Sequence, residues 1–338
     1  MNIVQTAQKT EPRKRHATDA ATATPPRARA LVIAARGMES IPFHFRQSLG
    51  NFADADYLAN LEPLDSRTFI TLARSFEYLA VTRRAIEKID SGIIESLPQL
   101  KGISVYSTGL EWIDQECLRK RNIRLLGLPD YCSNAVAETA LGLVLMAAHR
   151  LHLRYMKSIA AIPGSVSLRG FELQHRSVGI IGFGRIGRLL AQKVQPLCKK
   201  VLAFDTNEKQ FEYPHGVMRT GVEPILANCD FVVFCASQEY EPRQIIAPDQ
   251  YALLRPETVI VNAGRTSLLH HELLVKMVKR RQIGAYIYDD LMRDSDWPNE
   301  KDYGRIIPTG HTAWYTDEAI SRGTESWINN LITLCKTT

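Results

Sequence analysis

The stretch VGIIGFGRIGRLLAQKV, residues 178–194, with VLAFD running on to Asp205, restricts the possible folds more than any other part of the chain. Val178, Ile180 and Ile181 form an apolar run suited to a buried strand, and a helix-forming segment opens directly after the turn Gly182-Phe183-Gly184-Arg185-Ile186-Gly187. Gly182 permits a tight turn, Gly184 lets backbone N–H groups approach a pyrophosphate, and Gly187 lets the helix pack close to the strand. The helix N-terminus then faces the phosphates with partial positive charge. Asp205 stands 18 residues beyond Gly187, past one more strand, where a carboxylate accepts hydrogen bonds from an adenosine ribose. The same charge repels a 2′-phosphate, and DTNEK supplies no arginine to offset it, so NAD is expected rather than NADP. Three glycines alone would mean only a turn. Strand, loop, helix and acid in this order predict a dinucleotide site.

From ALVIAARG at residue 30 onward, short β-branched runs alternate with helical stretches, which predicts an α/β fold with parallel sheets. Strands are expected at 31–36, 78–82, 102–107 and 123–127, and later at VGIIG, VLAFD, FVVFCA, TVIVNAG and AYIYDD. Between the two sets lies SNAVAETALGLVLMAAHRLHLRYMK, read as a helix with Ser133 as its N-cap. It is apolar on more than one face, so burial on both sides is expected, at a domain junction or a subunit interface. At 338 residues the chain has room for two domains.

The formal net charge of +6 suggests nucleic acid until it is located. Residues 1–30 supply +4 of it and the rest only +2, so no nucleic-acid partner is expected. Residues 1–29, basic and rich in Pro, Ala and Thr, are too polar to bury a core and are expected to be a disordered tail. The tail lacks the apolar segment of a secretory signal; a transit peptide or an electrostatic tether are the other readings. ALGLVLMAA at 140–148 is far short of the roughly 20 residues of a membrane span, so no membrane segment is expected. The six cysteines show no CxxC and no metal-ligand spacing, which points to free thiols in a reducing, cytoplasmic setting and to no metal.

A nicotinamide enzyme acting at an oxygen needs a proton donor and a substrate anchor. Arg265, in TVIVNAGRT, stands just past a strand's carboxyl end, where a guanidinium grips a carboxylate with two N–H bonds and polarises the adjacent carbonyl. Asp289 ends the strand in AYIYDDLMRD, Asp294 lies five residues on, and His311 follows IIPTG. Taken singly, these have plainer readings: a surface salt bridge, turn acids and a satisfied loop histidine. Taken together, Asp294 bonded to His311 would keep the imidazole protonated near neutral pH, ready to donate as a carbonyl is reduced. Arg185, Ile186, Cys235, Ala263 and Gly264 complete the candidate cofactor contacts; no base beside Cys235 marks it as a nucleophile. His270 and His271 are adjacent, so their side chains diverge and do not share a metal. Arg83 and Arg84 read as a solvated basic pair, or as a contact for an acidic substrate.

In this order, the glycine loop, VNAGRT, the acid pair and PTGHTAWYTDEA resemble the D-isomer-specific 2-hydroxyacid dehydrogenase family. LPQLKGISVYSTGLEWID and NAVAETALGLVL are similar to its N-terminal domain and junction helix. The resemblance implies two Rossmann-like or flavodoxin-like domains with parallel sheets. One is a discontinuous substrate domain of residues 30–130 and 314–338, and the other an inserted NAD-binding domain of residues 131–313. It implies Arg265 on the substrate carboxylate and carbonyl, His311 as acid/base, Asp294 as its partner and Asp289 near the nicotinamide carboxamide. It also implies that Thr108 and Gly109 touch cofactor and substrate, and that the chain forms a homodimer built on the junction helix. The implied activity is NAD(H)-dependent interconversion of a 2-keto acid and a D-2-hydroxy acid. HTAWYT is also similar to the C-terminal-binding-protein co-repressors, so an NADH-sensing binding protein is the alternative. The chain departs from the family with Asp294 for glutamate, Gly310 for proline, Thr266 for glycine, and Glu111 and Trp112 after Gly109.

Overall fold

The computed structural model describes residues 27–207, 213–237, 244–293, 296 and 304–336. The expected disordered tail lies, up to residue 26, outside the described residues, and so does Asp294. The chain divides into two compact units: one runs to Tyr131 and resumes at Asp317, and the other is Cys132–Thr316.

In the first unit β1 (Ala28–Ala34), α1 (Phe43–Gly50), β2 (Ala53–Ala59), α2 (Ser66–Ala73) and β3 (Tyr78–Thr82) are followed by α3 (Ser91–Glu95), β4 (Gly102–Tyr106), α4 (Gln115–Lys120) and β5 (Arg124–Leu126). β1 starts at Ala28, so strand structure reaches into the segment expected to be tail. The strands form one parallel sheet in the order β2-β1-β3-β4-β5, the flavodoxin-like winding. Ala30 to Ala34 are all buried, as a strand covered on both faces must be. β2, which the sequence pattern did not predict, reads ADADYLA; at the sheet edge Asp54 stays exposed while Tyr57 and Leu58 are buried. Asp65, Asp90 and Asp114 cap α2, α3 and α4, each carboxylate accepting the N–H three residues on.

The second unit contains α5 (Ser133–Ala148), α6 (Leu151–Ser158), β6 (Ser177–Ile181), α7 (Arg185–Val194), β7 (Lys200–Phe204) and β8 (Val217–Arg219). It continues through α8 (Val222–Asn228), β9 (Phe231–Phe234), β10 (Val259–Asn262), α9 (His271–Lys279), β11 (Ala285–Tyr288) and β12 (Ile306–Pro308). Its parallel sheet has the order β12-β11-β10-β9-β6-β7-β8, the Rossmann winding with a further strand beyond β11. The winding reverses between β6 and β9, and in such sheets ligands bind beyond the carboxyl ends at that point. The stretch expected to be one helix is two, because Arg150 adopts left-handed backbone (φ 51°) and ends α5. Ser133 is not the N-cap: Cys132 holds that position without a side-chain bond. Ala137, Ala140, Val144 and Ala148 follow helical spacing along α5 into the core shared with α7 and β10.

The C-terminal helix α10 (Asp317–Lys336) returns to the first unit's sheet, with Trp327, Ile328 and Leu331 buried against Ala30, Val32 and Ala80. Two bonds lock it: Trp327 Nε1 donates to the Ser104 carbonyl (3.0 Å), and Ser104 Oγ donates to the Trp327 carbonyl (2.8 Å). Among the described residues no helix is long and apolar enough to cross a membrane.

Candidate active site

The glycine loop joins β6 to α7. Gly182 has φ 94°, and a Cβ there would lie 2.5 Å from the Ala236 backbone N; a Cβ at Gly187 would lie 2.1 Å from the Gly182 carbonyl O. Both positions therefore admit only glycine. Gly184 differs, because a Cβ there would meet nothing within 4 Å. Gly184 is the N-cap of α7 and offers no side-chain cap, in contrast to the aspartates that cap α2, α3 and α4. An open helix N-terminus of this kind fits a pyrophosphate. Arg185 is exposed and Ile186 partly buried at the start of the helix.

Asp205 follows β7 and is held beside this loop: Oδ2 accepts the Phe183 N–H at 2.6 Å and Oδ1 accepts the Asn207 N–H at 2.8 Å. The Phe183 ring is buried and stacks on Tyr213 with centroids 4.5 Å apart. Cys235 and Ala263 extend the ladder past β9 and β10, donating to the carbonyls of Ile181 (2.8 Å) and Phe234 (3.0 Å). Burial pushes the Cys235 thiol up to about 12, so it is a neutral thiol at physiological pH. The predicted cofactor residues of the second unit thus stand at the carboxyl ends of β6, β7, β9, β10 and, for Asp289, β11.

Arg265 stands three residues past β10, in a turn closed by the buried Asn262. Asn262 Nδ2 donates to the Arg265 carbonyl (3.1 Å), and its Oδ1 accepts the Gly264 N–H (3.0 Å). Asp289, directly after β11, is only 5% exposed and serves the His311 loop. Its carboxylate accepts Thr309 Oγ1–H at 2.6 Å, Thr312 N–H at 2.8 Å and Ala313 N–H at 3.2 Å. The neighbouring residue acts on both sides: the Asp290 carboxylate accepts Thr266 Oγ1–H (2.6 Å), and its carbonyl accepts Gly310 N–H (3.1 Å). Arg265 and His311 are therefore flanked by residues that share one anchor.

Gly310 (φ 77°) and His311 (φ 58°) are both left-handed. Proline cannot take that φ, which is the physical reason glycine stands at 310. A left-handed histidine is uncommon and persists where its surroundings hold it; here Asp289 grips both flanks, and Trp314 Nε1 donates to the His311 carbonyl at 3.1 Å. The His311 side chain is 46% exposed, with Nδ1 at 3.3 Å from the Asp289 carbonyl and 4.0 Å from Oδ2. A carbonyl only accepts, so this contact selects Nδ1–H and leaves Nε2 to exchange protons.

His271 is buried among aromatic rings. Asp296, fully buried, accepts from His271 Nε2 (2.9 Å), from the Arg293 N–H (3.0 Å) and from the Tyr288 hydroxyl. Burial alone would raise the Asp296 carboxyl; the hydrogen bonds outweigh it and hold it below the usual carboxylate range. No group of side chains among the described residues is arranged to hold a metal ion. In the first unit, Thr108 Oγ1 donates to the Leu128 carbonyl (2.9 Å), and the Gly109 carbonyl accepts from Ser107 Oγ (2.8 Å) and Trp112 Nε1 (3.1 Å). Arg83 and Arg84 are both exposed, and Arg83 also lies over the Trp112 ring at 5.3 Å. Sequence reasoning missed Asp290 and marked Thr266 only as a departure from the family. The available signal was two successive acids at a strand end, since adjacent side chains point to opposite sides.

A protein-family profile described as "D-isomer specific 2-hydroxyacid dehydrogenase, NAD binding domain" matches residues 141–313, about half of the chain. The chain belongs to the D-isomer-specific 2-hydroxyacid dehydrogenase family. Glyoxylate reductase of Pyrococcus furiosus is 27% identical over 257 residues, covering 73% of this chain and 76% of the relative. D-lactate dehydrogenase of Aquifex aeolicus, solved with NAD and lactic acid, superposes with a TM-score of 0.73 at 18% identity, covering 91% of this chain and 96% of that one. The acyclic imino acid reductase Bsp5, solved with NADPH and D-Arg, gives 0.74 at 19% identity, with 89% and 95% covered. At these identities the two structures speak for the fold. As a 2-hydroxyacid dehydrogenase the protein is a nicotinamide-dependent oxidoreductase, and the co-repressor-like alternative gains no support from these relatives.

Proposed function

We propose that this dehydrogenase interconverts a small 2-keto acid and its D-2-hydroxy acid with NAD(H), the unit Cys132–Thr316 being the NAD-binding domain and the other unit the substrate domain. Asp290 carries this assignment, because it bonds both the residue after Arg265 and the residue before His311. In this reading Gly182, Gly184, Arg185, Ile186 and Gly187 hold the pyrophosphate, and Asp205 takes the adenosine ribose with the acceptor capacity its backbone bonds leave. The negative charge of Asp205 favours NAD over NADP. Cys235, Ala263 and Gly264 line the nicotinamide side. Bound NADH supplies the hydride.

Arg265 grips the substrate carboxylate with paired N–H bonds and draws electron density from the adjacent carbonyl. His311, oriented by the Asp289 carbonyl at Nδ1, delivers the proton from Nε2 to the carbonyl oxygen. Asp294 stabilises the charged imidazole. We assign Asp289 to holding the His311 loop as well as to the nicotinamide side, since three donors of that loop already converge on it. Thr108 and Gly109 contribute a backbone turn to cofactor and substrate. A homodimer is the proposed assembly, supported by the exposed stripe of Leu151 and Tyr155 on α6 and Ile159 just past its end, at four-residue spacing. Free cysteines agree with a reducing cytoplasm.

The test is to follow loss of reduced cofactor with glyoxylate, hydroxypyruvate, pyruvate, phenylpyruvate and phosphonopyruvate. Turnover on at least one is expected, with His311→Ala reducing it by about 10²–10⁴ while NADH affinity stays near native. NADH binding without turnover across that panel overturns the assignment.

A further inference from the structure

Thr266 stands directly after Arg265 and is 3% exposed. Its hydroxyl is used twice: Oγ1 donates to Asp290 Oδ2 at 2.6 Å and accepts from Arg293 Nη2 at 3.1 Å. The other Asp290 oxygen accepts the Leu291 N–H at 2.9 Å, so the carboxylate cannot rotate away without losing a second bond. Arg293 is held at both ends, because its own N–H donates to Asp296 at 3.0 Å and Asp296 is tied to His271 of α9. One hydroxyl thus joins the Arg265 turn to the segment after β11, and Asp290 passes the connection on to Gly310.

On its strand side the Arg265 turn is already fixed through the Gly264 N–H bond to Asn262 Oδ1, and Asn262 Nδ2 also holds the Arg265 carbonyl. On its helix side the tie next in sequence is Thr266. A bidentate guanidinium–carboxylate contact needs two N–H···O bonds in line at once, so it is sensitive to small shifts of the backbone that carries it. We infer that Thr266 and Asp290 are positioning residues for Arg265, a hydroxyl–carboxylate brace that sets the guanidinium for the substrate carboxylate. This rests on the reading of Arg265 as substrate anchor. The effect of the brace is on substrate binding more than on proton transfer, since the His311 loop keeps its three bonds to Asp289.

The experiment compares native protein, T266V, T266A, T266S and R265Q, using the 2-keto acid of the panel above that native enzyme reduces fastest. NADH affinity and thermal unfolding are measured alongside. T266V removes the hydroxyl at nearly constant shape; T266A reads the same loss if the valine variant does not fold. The expected result is a KM raised about tenfold in T266V and T266A with kcat within about twofold, and return to near-native KM in T266S. NADH affinity should be unchanged in all three. A T266V and T266A KM within about twofold of native, while R265Q raises it steeply, overturns the brace and leaves the anchor standing. An R265Q KM equal to native overturns the anchor and the brace with it, as does a native protein that reduces none of the panel.

Discussion

Gly184 and Gly187 are the same residue type answering different demands. At Gly187 the helix backbone lies so close to the strand turn that a methyl group would sit 2.1 Å from a carbonyl oxygen, a contact that only backbone movement relieves. At Gly184 the fold asks for nothing, and the missing side chain matters only to whatever lies in front of α7. G184A should therefore unfold at the native temperature yet lose tenfold or more in NADH affinity, roughly 1.4 kcal/mol or above. G187A should be destabilised by about 1–3 kcal/mol or more, the scale of overpacking against atoms that cannot move. Thermal unfolding and NADH titration of the two variants separate the cases; equal NADH affinity for G184A and native protein would remove the phosphate role from that loop. This part of the site was legible in the sequence because glycine's steric demands are local. Thr266 was visible only as a departure from the family, since nothing in the stretch NAGRT says that its hydroxyl meets Asp290.

Among elements, the segment from β11 into the following loop organises its neighbours. Asp289 and Asp290 are consecutive, so their side chains leave the strand end in opposite directions, one toward the His311 loop and the other toward the Arg265 turn. Hydrogen bonds to a charged acceptor contribute about 1.5–3 kcal/mol each. In D289N a neutral amide oxygen replaces the charged Oδ1 on which the three donors converge, which weakens each bond. D289N should lose about 2 kcal/mol in a denaturant unfolding curve and at least about tenfold in kcat, because the left-handed backbone at His311 loses its grip. Native kcat in D289N would show that the loop holds itself. Element boundaries were harder to read than element types. β2 carries two aspartates on an edge strand, and β8 and β12 are three residues each, too short for a periodic signal. The break between α5 and α6 depends on one left-handed arginine in an otherwise helical pattern.

At the scale of the whole molecule, α10 returns across nearly two hundred residues to complete the first unit. Trp327 is 1% exposed and exchanges two hydrogen bonds with Ser104, a residue 223 positions earlier. W327A should destabilise that unit by about 3–5 kcal/mol, seen as a lowered first transition in calorimetry, since truncation leaves a cavity and orphans the Ser104 carbonyl. An unchanged scan would mean that α10 is not integral to the unit. The amino-acid sequence by itself determined the α/β class, the glycine turn between strand and helix, and the residue types at Arg265, Asp289 and His311. Apolar periodicity and glycine sterics act over a few neighbouring residues and need no partner. Only the tertiary structure decided which acid serves which loop: Asp289 for the His311 loop, Asp290 for Thr266, and Asp296 for a buried His271. Those pairings follow from how separate parallel strands register and where their loops meet, and packing sets that arrangement across sequence distances over which no local pattern carries information.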